Sequence, residues 1–237
     1  MAKINLLVCD YKERRGSKQP EGPVISAWIC GPDEDPGQAY ADFRVLYQTW
    51  RLGFDGIVGF MGVRKYPVFP GFEVKSEPSH IPKWLNASPQ HFDVYRGALA
   101  KWDGASLLPL LAMHDMIVTP PFDCHANGGI MMDFAASRSH NDAFELERVL
   151  HRHGIYTVSN KIYPYIFVTR WSVFDRFMRF AWSVARELES LCKGEDSINE
   201  AYKKRPMAYV LERAFSLWLE NSGLSFTELP IVNCWEL

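Results

Sequence analysis

"DGIVGFMGVRKYPVF" runs from Asp55 to Phe69. Through Val63 it is an apolar run of strand length. A continuous rather than alternating apolar run marks a strand buried on both faces, as in parallel sheets covered by helices. Arg64, Lys65 and Tyr66 then follow at the strand's carboxyl end, where ligands of open α/β sheets gather. A guanidinium fork beside an ammonium matches the two negative charges of a diphosphate. The bland alternative is a solvated loop.

The pattern extends in both directions. "INLLVCD" (Ile4 to Asp10) reads as a first buried strand, and "VISAWICG" (Val24 to Gly31) as a second. Asp10 closes the first strand, where a carboxylate can meet a base or ribose, and Lys12, Arg14, Arg15 and Lys18 follow. Between strands two and three, Phe43, Leu46, Tyr47 and Trp50 fall at helical spacing within Ala39–Leu52. Residues 67–89 are rich in Pro, Ser, Lys and His and read as a long loop. Helical pieces follow over "DVYRGALAKWDGASLLPLLAMH". "DMIVTP" (Asp115 to Pro120) is a short strand, and "PFDCHANGGIMMDFAASRSH" is irregular. "NDAFELERVLHRHG" reads as a helix capped by Asn141 and stopped at Gly154. "YPYIFVTR" is a strand. Two long helices then precede a closing strand within "FTELPIVNCWEL". Strands and helices alternate without a break, giving an α/β fold in one domain over residues 1–237, with a mostly parallel sheet and a helical C-terminal part.

Composition narrows the function classes. Apolar residues make up 47% and charged residues 23% of the 237-residue chain, as in soluble globular proteins, and the net charge is −2. That balance advertises neither a nucleic-acid nor a membrane surface. The five cysteines are scattered with no CxxC pair, so a reducing, cytoplasmic setting is expected rather than a disulfide framework. The apolar run near the N-terminus is too short for a signal peptide, and no transmembrane segment is expected. P-loop, GxGxxG, GxSxG and HExxH patterns are absent. His125 beside Cys124, and His140, leave an α/β hydrolase as an alternative without a nucleophile signature.

"DFRVLYQTWRLGFDGIVGFMGVRKYPVF" resembles the segment "ELTxxYWxWKN…DYIGLxHYRRYF" of a bacterial glycosyltransferase family found in capsule, exopolysaccharide and lipopolysaccharide gene sets. Asp42 stands at the Glu, Tyr47 and Trp50 at two aromatics, and Arg64, Lys65 and Tyr66 at Arg-Arg-Tyr. Tyr11 and Lys12 match a "HK" pair. "SHNDAF", with His140, is similar to "HxxxDL". "RPMAYVLERAFSLWLE" puts Glu212 and Arg213 at a Glu-Arg, and "LPIV" is similar to a closing "xPVV". Two departures stand out: Gly62 replaces the His before Tyr-Arg-Arg, and Tyr165 replaces an Asn.

The resemblance implies a GT-A-like fold, with the nucleotide-sugar part over about 1–120 and the acceptor part over about 121–237. It implies an enzyme moving a sugar from a nucleoside diphosphate sugar, in the first place a UDP-sugar, to an acceptor hydroxyl. The acceptor readings are a polysaccharide, a lipid-linked sugar or, less favoured, a hydroxylated base in DNA. Arg64 and Lys65 would hold the diphosphate, and Asp10, Tyr11 and Lys12 would face the nucleoside. Asp42, Tyr66, His140 and Arg213 complete the binding set, and Asp115, Asp142 or Glu212 would serve as base. A Mn²⁺ or Mg²⁺ requirement stays open. Asp33–Asp35 forms a DxD, yet between prolines it reads as a solvated turn. A non-catalytic nucleotide- or sugar-binding module is the other alternative.

Overall fold

The computed structural model describes residues 3–9, 23–28, 38–62, 64–156 and 158–234. Asp10, Tyr11, Lys12, the basic residues up to Lys18, and the Asp33–Asp35 turn lie outside the described residues. The first strands are where the apolar runs put them: β1 (Ile4–Cys9), β2 (Ile25–Trp28) and β3 (Ile57–Gly62), with helix α1 (Phe43–Leu52) before β3. β1 lies between β2 and β3, and both pairings are parallel.

The expected long loop is built differently. After a two-residue connection the chain returns as β4 (Lys65–Pro67), paired antiparallel to β3 through Gly62 and Lys65. Two more short strands follow, β5 (Glu77–Pro78) and β6 (Trp84–Asn86). Helices α2 (Pro89–Leu99) and α3 (Leu108–Met113) lead to β7 (Met116–Val118). Strands this short carry no periodic signal, which is why composition alone reads 67–89 as loop.

The segment read as irregular holds β8 (Phe122–Asp123) and helix α4 (Ile130–Ser137). Helix α5 (His140–Arg152) is capped by Ser139, whose hydroxyl accepts from the Asp142 amide, and not by Asn141. β9 (Lys161–Ile162) pairs with β8, and β10 (Phe167–Arg170) enters the main sheet. Helices α6 (Trp171–Leu188), α7 (Glu200–Lys204) and α8 (Pro206–Asn221) follow. The closing segment forms two strands, β11 (Phe226–Glu228) and β12 (Ile231–Asn233), divided at Pro230, which has no N–H to continue one ladder.

The main sheet has ten strands among the described residues. Eight run in the order β11-β7-β10-β3-β4-β12-β6-β5, and β1 pairs with β3 and carries β2. Parallel pairs β2–β1–β3, β11–β7 and β12–β6 form the body of the α/β fold, and β10 and β4 are antiparallel to their neighbours. Alternation along β3 sorts the core. Val58 and Phe60 face α1, α5, α6 and α8, whereas Ile57 and Met61 face α2 and α3. Trp218, on α8, belongs to the first of these layers.

Gly59 sits where β1, β3 and β10 crowd together. A Cβ there would lie 2.6 Å from Leu6 Cδ2 and 2.9 Å from Val168 Cγ2. At Gly62, in the same strand, the nearest atom to a Cβ is Lys65 Cβ at an ordinary 3.7 Å. Gly59→Ala should therefore lower stability by about 1–3 kcal/mol, the usual cost of overpacking. Gly62→Ala should stay within about 0.5 kcal/mol. Urea midpoints check this, and equal effects would contradict the packing argument.

Candidate active site

Lys65 opens β4 at the carboxyl end of β3. Successive strand residues point to opposite faces, so Lys65 and Tyr66 part company. Tyr66 is fully buried on the α2 side, 5.1 Å from the Phe92 ring. Lys65 turns to the other side, its ammonium 5.1 Å from the Trp84 ring centroid and 5.9 Å from that of Phe122. There it meets Asp42, which precedes α1, and Glu212 on α8.

Helix α8 supplies most of the remaining charge. Arg205, Tyr209 and Arg213 recur at intervals of four residues and share one helical face. The Tyr209 ring has three guanidinium groups around it, those of Arg138 at 4.7 Å, Arg205 at 5.5 Å and Arg213 at 5.8 Å. Arg205 also donates to the Tyr209 hydroxyl at 3.1 Å. Arg213 is buried; it donates to Glu212 Oε2 at 2.9 Å and lies 3.5 Å from Asp133 Oδ2. Among the described residues, four cations (Lys65, Arg138, Arg205, Arg213) thus surround three carboxylates (Asp42, Asp133, Glu212).

Burial sets the acidities. Desolvation pushes the Asp42 carboxyl up to about 6, the Glu212 charge adds to the rise, and Arg205 and Lys65 oppose it. Burial also raises Glu212, against the pull of Arg213, Lys65, Arg138 and Arg205. The Lys65 ammonium is lowered by desolvation, partly restored by Glu212 and Asp42. Tyr165 faces the same charges. Its phenol is pushed well above its ordinary range by burial, and Glu212 and Asp42 act in the same direction.

The other expected site residues separate from this cluster. Arg64 lies in the β3–β4 connection, its carbonyl accepting from the Cys234 amide at 3.0 Å and its buried Nε without a partner. Asp142 is a buried staple that accepts from the Tyr202 hydroxyl at 2.6 Å and the Gly194 amide at 2.9 Å. His140 is exposed at the start of α5. Asp115 precedes β7, at the amino edge of the sheet, where it accepts from the Ser225 amide and hydroxyl at 3.0 and 2.9 Å. β3 is six residues long, so Asp115 is about 20 Å from the pocket at ~3.3 Å per residue. The Cys124 thiol donates to the Asn160 carbonyl at 3.0 Å, and burial pushes it up to about 11, unlike an activated nucleophile.

Arg138, Arg205, Asp133 and Tyr209 were not singled out by the sequence reading. The four-residue repeat of Arg205, Tyr209 and Arg213 was the available signal. Among the described residues, no group of three or more His, Cys, Asp or Glu is arranged to hold a metal ion. No helix among them is long and apolar enough to cross a membrane.

This architecture is a GT-A-like glycosyltransferase fold. It is shared with a solved structure described as the WbbM bifunctional glycosyltransferase in its apo form, at a TM-score of 0.73 and 15% identity. The match covers 99% of this chain and 46% of that one, so the chain spans about half the length of WbbM. No family model and no curated protein sequence matches the chain.

The raised Asp42 acidity has a consequence for stability. A carboxyl group whose pKa is higher folded than unfolded binds its proton more tightly when folded. Its contribution is complete below about pH 4, the ordinary Asp value, and is lost as pH rises through about 6. Asp42→Asn should therefore be more stable than the parent at pH 7.5, by about 1–3 kcal/mol, with the gap closing toward pH 4. Denaturant unfolding across that range checks it; a gap independent of pH would contradict it.

Proposed function

We propose that the protein transfers a sugar from a nucleoside diphosphate sugar to an acceptor hydroxyl. The observation that carries the reading is the pair of half-buried carboxylates, Asp42 and Glu212, whose proton affinities are raised among Lys65 and three arginines at the carboxyl end of β3. The shared fold and the HYRRYF-like segment point the same way.

The chemistry follows from the charges. The bond between the sugar's anomeric carbon and the diphosphate breaks, and its electron pair goes to the diphosphate oxygen. Lys65 and Arg205 offset that growing charge, which is electrostatic stabilisation of the transition state. The acceptor oxygen bonds to the anomeric carbon and gives its proton to a carboxylate. Asp42 suits this role. Its pKa of about 6 leaves it ionised yet basic near neutrality, and its carboxylate is not engaged in capping α1. Glu212 is held by Arg213 and fixes the arginines instead. Asp10, Tyr11 and Lys12, directly after β1, are assigned to the nucleoside.

The first test is thermal stabilisation by UDP, GDP and dTDP and their sugar conjugates, with and without Mn²⁺; binding raises the melting temperature by mass action. A selective shift identifies the donor and shows whether metal is needed. Lys65→Ala should weaken nucleoside diphosphate binding about tenfold or more, equivalent to ~1.4 kcal/mol. Arg152→Ala, which removes a surface pair with Glu187, should leave it unchanged. Equal effects in calorimetry would remove the diphosphate assignment.

Turnover gives a second readout. Asp42→Asn should lower kcat by about 10²–10⁴ with nucleoside diphosphate affinity retained. The parent's rate should rise with pH through about 6. Selective binding without transfer to any acceptor would favour a non-catalytic sugar- or nucleotide-binding module.

A further inference from the structure

Two neutral polar side chains beside the charged pocket have no hydrogen-bond partner. Asn233 is 1% exposed, and both its amide oxygen and its amide nitrogen are unpaired. Tyr165 is 7% exposed, and its hydroxyl is unpaired. Buried side-chain polar atoms are satisfied in most proteins, and one left unpaired carries the full cost of its desolvation. Two such groups bordering one pocket point to partners that arrive with a ligand.

Their positions divide the pocket. Asn233 on β12 is the cross-strand partner of Lys65 on β4. Directly opposed residues point to the same face of a sheet, so the amide stands beside the ammonium. On its other side Asn233 is in register with Asn86, which lines a cleft of about 460 Å³ that also includes Ser88 and His91. Tyr165 stands by the carboxylates, its ring 6.0 Å from Phe43 and 5.7 Å from Phe215, and its phenol under the influence of Glu212 and Asp42. In sugar transfer, the sugar lies between the cations on the leaving diphosphate and the base on the acceptor. Asn233 borders the first and Tyr165 the second.

We infer that Asn233 and Tyr165 read the hydroxyl groups of the transferred sugar. This rests on the glycosyltransferase reading and adds the residues that select the donor's sugar. The chemistry fits hydroxyls rather than phosphates. An amide and a phenol each donate and accept, as a sugar hydroxyl does, whereas the lysine and arginines only donate and suit anions. Entry of the sugar supplies the missing partners.

The test compares the parent with Tyr165→Phe and Asn233→Leu. Each is measured for binding of UDP, GDP and dTDP, and of UDP-glucose, UDP-galactose, GDP-mannose and dTDP-glucose. Both variants should melt at or above the parent's temperature without ligand, since each removes an unsatisfied group. Each should keep the parent's affinity for the nucleoside diphosphate and lose about tenfold in affinity for its sugar conjugate. Variants that melt lower and bind both ligands as the parent does would assign the two residues a structural role and overturn the inference. An equal loss for the diphosphate and its conjugate would assign them to the nucleotide and also overturn it. A parent bound by none of these compounds would overturn the donor reading itself, and this inference with it.

Discussion

Burying charge is the most demanding feature of this fold. Moving an ionised group out of water costs several kcal/mol even after relaxation, and only close opposite charges and good geometry offset it. Here the offset is shared. Arg213 reaches Glu212 and Asp133, Arg205 and Lys65 act on Asp42, and the flat faces of three guanidinium groups rest around Tyr209. The arrangement requires α8 to stand above the carboxyl end of β3, and it does so because Leu211, Ala214, Phe215 and Trp218 are sunk in the core layer that also takes Phe60 and Phe167. The hydrophobic packing of α8 thus fixes the position of the charges.

That dependence explains why the pocket is strained. Asp42 is held protonated more readily than a free aspartate, Lys65 gives up its proton more readily than a free lysine, and Tyr165 and Asn233 have polar atoms without partners. Each is unfavourable for folding alone. Together they support the proposal of a site organised for something that is not part of the polypeptide. Proteins commonly carry such local destabilisation where activity requires it. Asp142 shows the opposite arrangement, a buried carboxylate satisfied by the Tyr202 hydroxyl and the Gly194 amide, with nothing left for a ligand.

The sequence revealed the frame better than the pocket. Ile4–Cys9 and Ile57–Gly62 were legible because strands buried on both faces need continuous apolar runs. α5, α6 and α8 were legible from their helical spacing. β4, β5 and β6 were not, since two or three residues carry no period, and β4 and β6 are joined through β12 at the far end of the chain. α4 was hidden behind the Gly128–Gly129 pair that precedes it. Of the site residues, Lys65, Asp42, Glu212 and Arg213 converge, because each ends or lines an element facing the same end of the sheet. Asp115 and Asp142 do not, since the side of a strand end or helix turn a carboxylate meets is a tertiary fact. Tyr66 misled for a simpler reason, as the pleat sends it to the face away from its neighbour Lys65.

The short connection from Gly62 to Lys65 constrains how this region can change. It spans two residues, and the pleat of β4 begins at once. One inserted or deleted residue would exchange the faces of Lys65 and Tyr66, putting an ammonium into the apolar layer beside Phe92 and a phenol into the charged pocket. The pocket can therefore accept replacement of a side chain here, but not a change of length. A change of length is more easily absorbed in a segment such as residues 73–76, between β4 and β5, where no ladder register is at stake.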